Sequence, residues 1–536
     1  MTQLTLLKHN QEFFMDLREA SKWASQYLNR KVTTSNISYL IQYGRISKIG
    51  ENGNLLVDMN ELKNYYDIQN KEKEKKILSR RALNWHLSFI EYTEAERTKH
   101  VHRLHPYKGK FIPQLVEYFL DSHSDEFKKE AYFKKGEIVL DPFCGSGTTL
   151  VQCNELGLHA IGIDISPFNT LISNVKIEKH SFAKISESIN NITQNLLKFC
   201  DSNNYKEFDE CLLEELSKFN STNFPSPEYK RKVNQGVIEE YEYSKKKELE
   251  FLKTYQILVE KYRIKILQDK NINFLEKWLL YPVRNEVDFI FNETKKIDNA
   301  DVKKVLAIIL SRTVRSCRAT THADLATLKE PVTTTYYCKK HGKICKPIFS
   351  VMKWWETYTQ DTLNRLKIFD KLRTDTIQFC IIGDSRNINI FEETKKRNAS
   401  FYNNLISQKI SGIFSSPPYV GLIDYHEQHA YAYEIFGFDR YDNFEIGPLK
   451  KGQGKDARES YINDISKVLK NCKKYLVQDY NIFLVANDKF NLYPRIAELC
   501  NMRIVNRFER PVLCRVEKDR SSYAETIFHL KENQNE

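Results

Sequence analysis

Two short stretches of the chain carry residues whose types and spacing can do chemistry. The first, "VLDPFCGSGTTL" at 139–150, places glycines between an apolar run and a stretch able to start a helix. Gly145 and Gly147 let backbone approach a ligand closely, and Thr148 and Thr149 can open the helix. No Gly-Lys-Ser/Thr follows, so a triphosphate loop is disfavoured. Only a Gly-Ser-Gly pair stands where a dinucleotide fingerprint has three spaced glycines. Asp141 ends this first run and Asp164 ends the next, in "AIGIDIS". A carboxylate at the tip of a second strand is placed to accept both hydroxyls of a ribose, and Asp141 can receive the ammonium of an amino acid. A nucleoside joined to an amino acid is S-adenosylmethionine. The second stretch, "GIFSSPPYVG" at 412–421, drives an apolar strand into Pro417 and Pro418, bracketed by Ser416 and Tyr419. Two prolines cannot donate ladder hydrogen bonds, so the strand must stop there in a stiff loop.

Positioning these stretches takes a β/α alternation. "GEIVLD" reads as a strand, a helix follows to about 157, and "HAIGID" reads as a second strand. Comparable buried runs are "IQFCIIGD" (377–384), "ISGIFSS" (410–416) and "NIFLVAND" (481–488). "MRIVNRFERPVL" (502–513) and "SYAETIFHLK" (522–531) alternate like a terminal antiparallel hairpin. One α/β domain is therefore expected in two parts, 101–180 and 371–536. The charged segment 181–370 between them is too long for a structureless loop and reads as a mostly helical inserted domain.

The first 70 residues look separate. "LREASKWASQYL" (17–28) has helical spacing, and "SNISYLIQYG" (35–44) reads as a second helix capped by Gly44. "RISKIGENGNLLVD" reads as a two-stranded wing around Asn52-Gly53. This layout resembles the winged helix-turn-helix of excisionase-like DNA-binding domains. The resemblance implies that Thr34, Ser35, Asn36 and Ser38 face a groove while Arg45 and Lys48 touch phosphates; a small domain for protein contacts is the alternative. Residues 71–100, opening on "KEKEKKILSRR", read as a linker helix.

"DPFCGSGTT" together with "SPPY" resembles the amino-methylating DNA methyltransferases, which modify exocyclic nitrogens of cytosine or adenine. The likeness covers about half the chain, 100–180 and 375–530. It implies a Rossmann-like seven-stranded sheet, S-adenosylmethionine as cofactor, and double-stranded DNA with one flipped base as partner. In that family the Pro-Pro-aromatic pattern closes the fourth strand beside the cofactor. The resemblance thus implies a catalytic set of Ser416, Pro417, Pro418 and Tyr419, and a cofactor set of Asp141, Pro142, Phe143, Gly145, Gly147, Thr148 and Asp164. "HPYKGKFIP" resembles the family's cofactor-flanking segment and adds Tyr107, Lys110 and Phe111. Asp384 could bind the adenine amino group or cap a helix.

The chemistry of the tetrapeptide can be given physically. An exocyclic amine is a poor nucleophile because its lone pair is delocalised into the ring. Two acceptors, the Ser416 hydroxyl and the Pro417 carbonyl, would hold the nitrogen more tetrahedral and aim its lone pair at the sulfonium methyl. The prolines preset that geometry, and Tyr419 offers a ring on which an extruded base can stack. By family resemblance Ser-Pro-Pro-Tyr points to cytosine N4, with adenine N6 on DNA or RNA as the alternative. A DNA-binding regulator with an inactive methyltransferase fold is the second alternative. Methylation at cytosine C5 would need a Pro-Cys nucleophile, and the chain has no such dipeptide. Glutamine methyltransferases of the release-factor type put Asn before their Pro-Pro-Tyr. The expected role is the protective partner of a restriction endonuclease.

Composition is compatible with this reading. Lys and Arg number 82 against 70 acidic residues, a formal +12 that suits a polyanion. No signal peptide or membrane-length apolar run occurs, which predicts a reducing cytoplasm for the 11 cysteines. No metal is expected in the catalytic site. Cys317, Cys338, His341 and Cys345 are soft ligands at no standard zinc spacing, leaving a zinc site or free thiols open. Arg312, Arg315 and Arg318 would form one cationic face if helical.

Overall fold

The computed structural model describes residues 14–28, 32–43, 45–47, 55–67, 83–107, 109–322, 328–512 and 523–533. Contacts divide the chain into two compact units. One comprises Met1–Arg81, Gln194–Phe289 and Val314–Trp354, and the other Ala82–Thr193, Ile290–Thr313 and Trp355–Glu536. Among the described residues, no helix is long and apolar enough to cross a membrane.

The second unit is built on a seven-stranded sheet, the Rossmann-like α/β architecture expected from the sequence. Its strands are β1 (Ile138–Asp141), β2 (His159–Asp164), β3 (Gln378–Ile382), β4 (Ile410–Ser415), β5 (Leu476–Ala486), β6 (Met502–Val512) and β7 (Tyr523–Glu532). Their spatial order is β6-β7-β5-β4-β1-β2-β3. Pairing is parallel from β5 across to β3, while β7 runs antiparallel to both β5 and β6. Strands buried on both faces must be apolar along their length. Accordingly Ile138, Leu140, Ile161, Ile413, Ile482 and Leu484 have no exposed surface. Strand order reverses between β1 and β4, which opens a crevice at their carboxyl ends.

Two expectations change in this unit. Of the linker helix expected over 71–100, residues 71–82 lie outside the described residues, and 83–100 pack rather than link. Short turns at Trp85–Ser88 and Glu94–Arg97 replace one helix. The reason is apolar burial at Leu87 and Phe89, with Asn84 exchanging hydrogen bonds with Glu509 of β6 at 2.7 and 2.8 Å. Nor do the three arginines make a solvated cationic face. Arg312 is buried, donates to Asp361 and, at 2.6 Å, to Thr362 Oγ1, and lies over the Tyr358 ring. The helix Ala300–Ser316 ends before Arg318, which is itself buried in the other unit.

The first unit contains the helices Leu17–Tyr27 and Thr34–Gln42, packed through Ala20, Ala24, Ile37 and Ile41. Gly44, Lys48 and the Asn52-Gly53 turn lie outside the described residues. The strand Leu56–Asp58 pairs antiparallel with Phe14–Asp16, upstream of both helices. Asn36 is spent locally, because its Oδ1 accepts from Thr33 N at 2.8 Å in a capping box. The helices Tyr205–Asn223 and Glu240–Lys261 pack with Phe219 on Phe251, ring centroids 5.0 Å apart.

Gly412 leaves β4 no room for a side chain against its neighbour. A Cβ there would lie 2.0 Å from the Asn481 carbonyl oxygen of β5 and 2.9 Å from Phe133. Gly412→Ala is therefore expected to destabilise by about 1–3 kcal/mol, as overpacking does, read as a lower urea midpoint. An unchanged midpoint would contradict the β4–β5 register.

Candidate active site

The carboxyl ends of β1, β2 and β4 converge on one cleft of about 890 Å³, counting its open mouth. Both stretches singled out in the sequence contribute to it, Gly145 from one and Ser416 and Pro418 from the other. They are brought together because β1 and β4 are parallel neighbours, with Val139 opposite Gly412.

The glycine turn follows β1 with Gly145 at φ +51° and Gly147 at φ +75°, where L side chains are strained. Space is restricted as well. A Cβ on Gly147 would fall 2.9 Å from Ser173 Oγ, and one on Gly145 would fall 3.1 Å from the Tyr107 hydroxyl. The turn is held from below by donors to its carbonyls, Ser173 Oγ to Gly145 at 3.0 Å and the buried Lys176 ammonium to Ser146. The helix Thr148–Leu156 then leaves the turn and ends at Gly157 in the left-handed region.

Asp164, at the tip of β2, lines the cleft and is the carboxylate that organises it. One oxygen accepts from Gly145 N at 2.7 Å, the other from Ser166 N at 2.8 Å and Asn169 Nδ2 at 3.1 Å. Burial nevertheless outweighs these bonds and pushes its carboxyl up to about 6. Asp141 does not line the cleft. Its carboxylate accepts from Ser415 Oγ at 2.6 Å and Phe143 N at 3.2 Å, and burial pushes it up to about 6 as well. It joins the end of β1 to the end of β4.

Tyr107, Lys110, Phe111, Pro142, Phe143, Thr148 and Asp384 also line the cleft, as their positions in the sequence suggest. Lys110 Nζ donates to the His102 carbonyl at 2.6 Å, which anchors the flanking segment. Asp384 caps no helix; it is paired with Arg386 Nη2 at 2.7 Å. Gly147 and Pro417 lie behind the surface that lines the cleft. Tyr419 faces elsewhere, lining a second, smaller recess with Phe490, Tyr461 and Tyr493. Its hydroxyl donates to Glu525 Oε1 at 2.9 Å, and Arg510 pairs with the other oxygen of that carboxylate at 2.5 Å. The Ser416–Tyr419 loop is thus a partition of which Ser416 and Pro418 line the cleft and Tyr419 lines the recess.

Several lining residues carried no signal specific enough to single them out. Glu445 and His426 share a buried hydrogen bond, with His426 N 2.8 Å from the same carboxylate oxygen. Glu445, Phe444 and Ile446 come from an irregular segment without periodicity. Tyr425 and His426, by contrast, stand in "DYHEQHAYAYEIFG" (424–437), which by its place just past the Ser-Pro-Pro-Tyr loop reads as lining the site, with ordinary core as the alternative for its aromatics, and both residues do line the cleft. Among the described residues, Ser146 Oγ and Asn169 Oδ1 are buried at the cleft with no hydrogen-bond partner. Such orphaned groups beside Asp164 and the aromatic wall of Tyr107 and Tyr425 fit a polar, ring-bearing ligand such as a nucleoside.

Comparison with known proteins agrees with this geometry. Residues 10–174 match the model of the N6/N4 DNA methylase family. Over 525 residues, covering 96% of this chain and 96% of the relative, the sequence is 46% identical to the Type II methyltransferase M.MjaII of Methanocaldococcus jannaschii. Shorter stretches resemble two further relatives. The Type II methyltransferase M.MvaI of Kocuria varians is 35% identical over 109 residues, 20% of this chain and 22% of the relative. The Type II methyltransferase M.BsoBI of Geobacillus stearothermophilus is 36% identical over 89 residues, 17% of this chain and 15% of the relative. A likeness running along almost the whole of M.MjaII leaves no room for a chance domain match: the chain belongs to the amino-group DNA methyltransferases, enzymes that use S-adenosylmethionine.

Proposed function

We propose that the enzyme is a site-specific DNA methyltransferase that methylates N4 of cytosine, as the modification partner of a Type II restriction system. The observation that carries this reading is the shared cleft: the glycine turn and the Ser-Pro-Pro partition line one cavity. Ser416 at the head of the partition supports cytosine over adenine, by the family's habit. The relative's name, a Type II methyltransferase, supports the restriction-modification role.

S-adenosylmethionine, when bound, supplies a methyl group made electrophilic by its sulfonium. Asp164 takes the ribose hydroxyls, while Phe143, Phe111 and Tyr107 wall the nucleoside. The target base, flipped from double-stranded DNA, would enter the cleft at Ser416, on the same side as the methyl group, with the neighbouring Tyr419 ring as the surface on which it stacks. Ser416 Oγ and the Pro417 carbonyl accept the two amino hydrogens and turn the nitrogen lone pair toward the methyl carbon. Transfer to the nitrogen would leave the methylated amine with one surplus proton, which would pass to solvent, while Ser416 Oγ and the Pro417 carbonyl hold the amine in place. The N-terminal helix Thr34–Gln42 exposes Thr34 and Ser35 and serves as an auxiliary DNA contact.

Mass spectrometry of nucleosides from DNA treated with the enzyme tests the assignment. N4-methylcytosine is the expected product, and N6-methyladenine would move the reading to the other branch of the family. Hydroxyl donors on a ribose favour ionised Asp164, whose carboxyl titrates at about 6. Cofactor affinity is therefore expected to rise as pH rises through about 6 and then level off. In Asp164→Asn most of that step disappears and binding at neutral pH weakens roughly tenfold or more, the worth of a charge-assisted hydrogen bond. Calorimetry showing a flat wild-type profile would contradict this. Tyr419→Ala is expected to slow methyl transfer by about 5- to 150-fold, as loss of about 1–3 kcal/mol of stacking would, with the cofactor dissociation constant nearly unchanged. Equal loss of both would count against stacking.

A further inference from the structure

The ribbon formed by Tyr336–Cys338 and Lys343–Cys345 is too small to be stable alone. Its apolar support is buried Tyr336, Cys338 and Cys345, with Val332 beside them. Polar contacts tie it to two helices. Tyr337 N donates to Glu248 Oε2 at 2.7 Å, and Ile344 N donates to Asn220 Oδ1 at 3.0 Å. Neither contact touches the inner face of the hairpin, where a denser cluster lies.

There His322, Cys338, His341 and Cys345 each offer one ligand atom, and all four atoms lie within 4.8 Å of one another. His322 Nδ1 is 3.7 Å from Cys338 Sγ, and His341 Nδ1 is 3.6 Å from Cys345 Sγ. Zinc bonds of about 2.3 Å to sulfur and about 2.05 Å to nitrogen give a tetrahedral edge of about 3.6 Å. The two imidazoles meet edge to face with centroids 4.3 Å apart, so their nitrogens can share a centre. Both cysteines are free thiols. Two thiolates and two neutral imidazoles neutralise one divalent ion, and the sulfur ligands select zinc over magnesium or calcium. Cys317, grouped with these residues in the sequence, is buried outside the cluster, and His322 takes its place. The arrangement His-x15-Cys-x2-His-x3-Cys joins a hairpin knuckle to one residue upstream, which is why no standard spacing reveals it.

We propose that His322, Cys338, His341 and Cys345 bind a single zinc ion that fastens the hairpin to the segment carrying His322. The Tyr336 hydroxyl, 2.9 Å from His322 Nδ1, yields that nitrogen to the metal. The site is structural, since all four positions are filled by protein, and it is independent of which base the enzyme methylates.

The test uses full-length protein made in zinc-supplemented cells and purified without chelator. Elemental analysis is expected to find one zinc per chain. Cys317→Ser keeps it, and Cys338→Ser combined with Cys345→Ser loses it. Reduced, metal-stripped wild-type protein titrated with cobalt(II) is expected to show thiolate-to-metal charge transfer and tetrahedral ligand-field bands, a readout that holds even where the double variant fails to fold. Metal-free protein without cobalt bands after thiol reduction would overturn the proposal. Unchanged zinc in a folded double variant would do the same.

Discussion

The Ser415 hydroxyl donates to the Asp141 carboxylate at 2.6 Å across 274 residues of sequence. This contact fixes the carboxyl ends of two neighbouring parallel strands against each other. It is the constraint on which the site depends, because the glycine turn hangs from one strand and the proline partition from the other. Thr149 Oγ1, donating to the Phe414 carbonyl at 3.3 Å, adds a second tie, between the helix and β4. Neither turn could shift by an ångström without breaking a buried hydrogen bond, and leaving such a group unsatisfied costs about 1–3 kcal/mol. The rigidity that amino-group chemistry demands is therefore a property of the sheet as much as of the prolines.

The division of labour around the partition follows from the same constraint. On one side Asp164 is held by three donors and lines the cleft. On the other side Tyr419 is steadied by Glu525, itself paired with Arg510.

Much of this was legible in the sequence, for physical reasons that also explain the misses. Strands such as "AIGID" and "NIFLVA" are buried on both faces, so their apolar runs announce them. The glycines at 145 and 147 announce a turn because only glycine tolerates those dihedrals beside Ser173 and Tyr107. Side-chain direction at a strand end is another matter. Asp141 and Asp164 end equivalent strands, yet one faces Ser415 and the other the cleft, a difference set by neighbours far away in sequence. Glu445 and His426 meet through an irregular segment with no period to read. Charge patterning misled for Arg312, since helical spacing says nothing about the burial supplied by Asp361, Thr362 and Tyr358. The soft-ligand cluster was half visible: three of its members stand together in sequence, while the fourth needed the fold.

The central claim is that a hydroxyl at position 416 reshapes the amino nitrogen without helping to hold the cofactor. Single-turnover methyl transfer by Ser416→Ala, set beside its cofactor dissociation constant, measures this most directly. The account predicts a chemical step slower by about 10²-fold, the usual loss for one preorganised polar contact to the reacting centre, with cofactor affinity unaltered. A wild-type rate in the variant, or a fall in affinity that accounts for the whole defect, would contradict it.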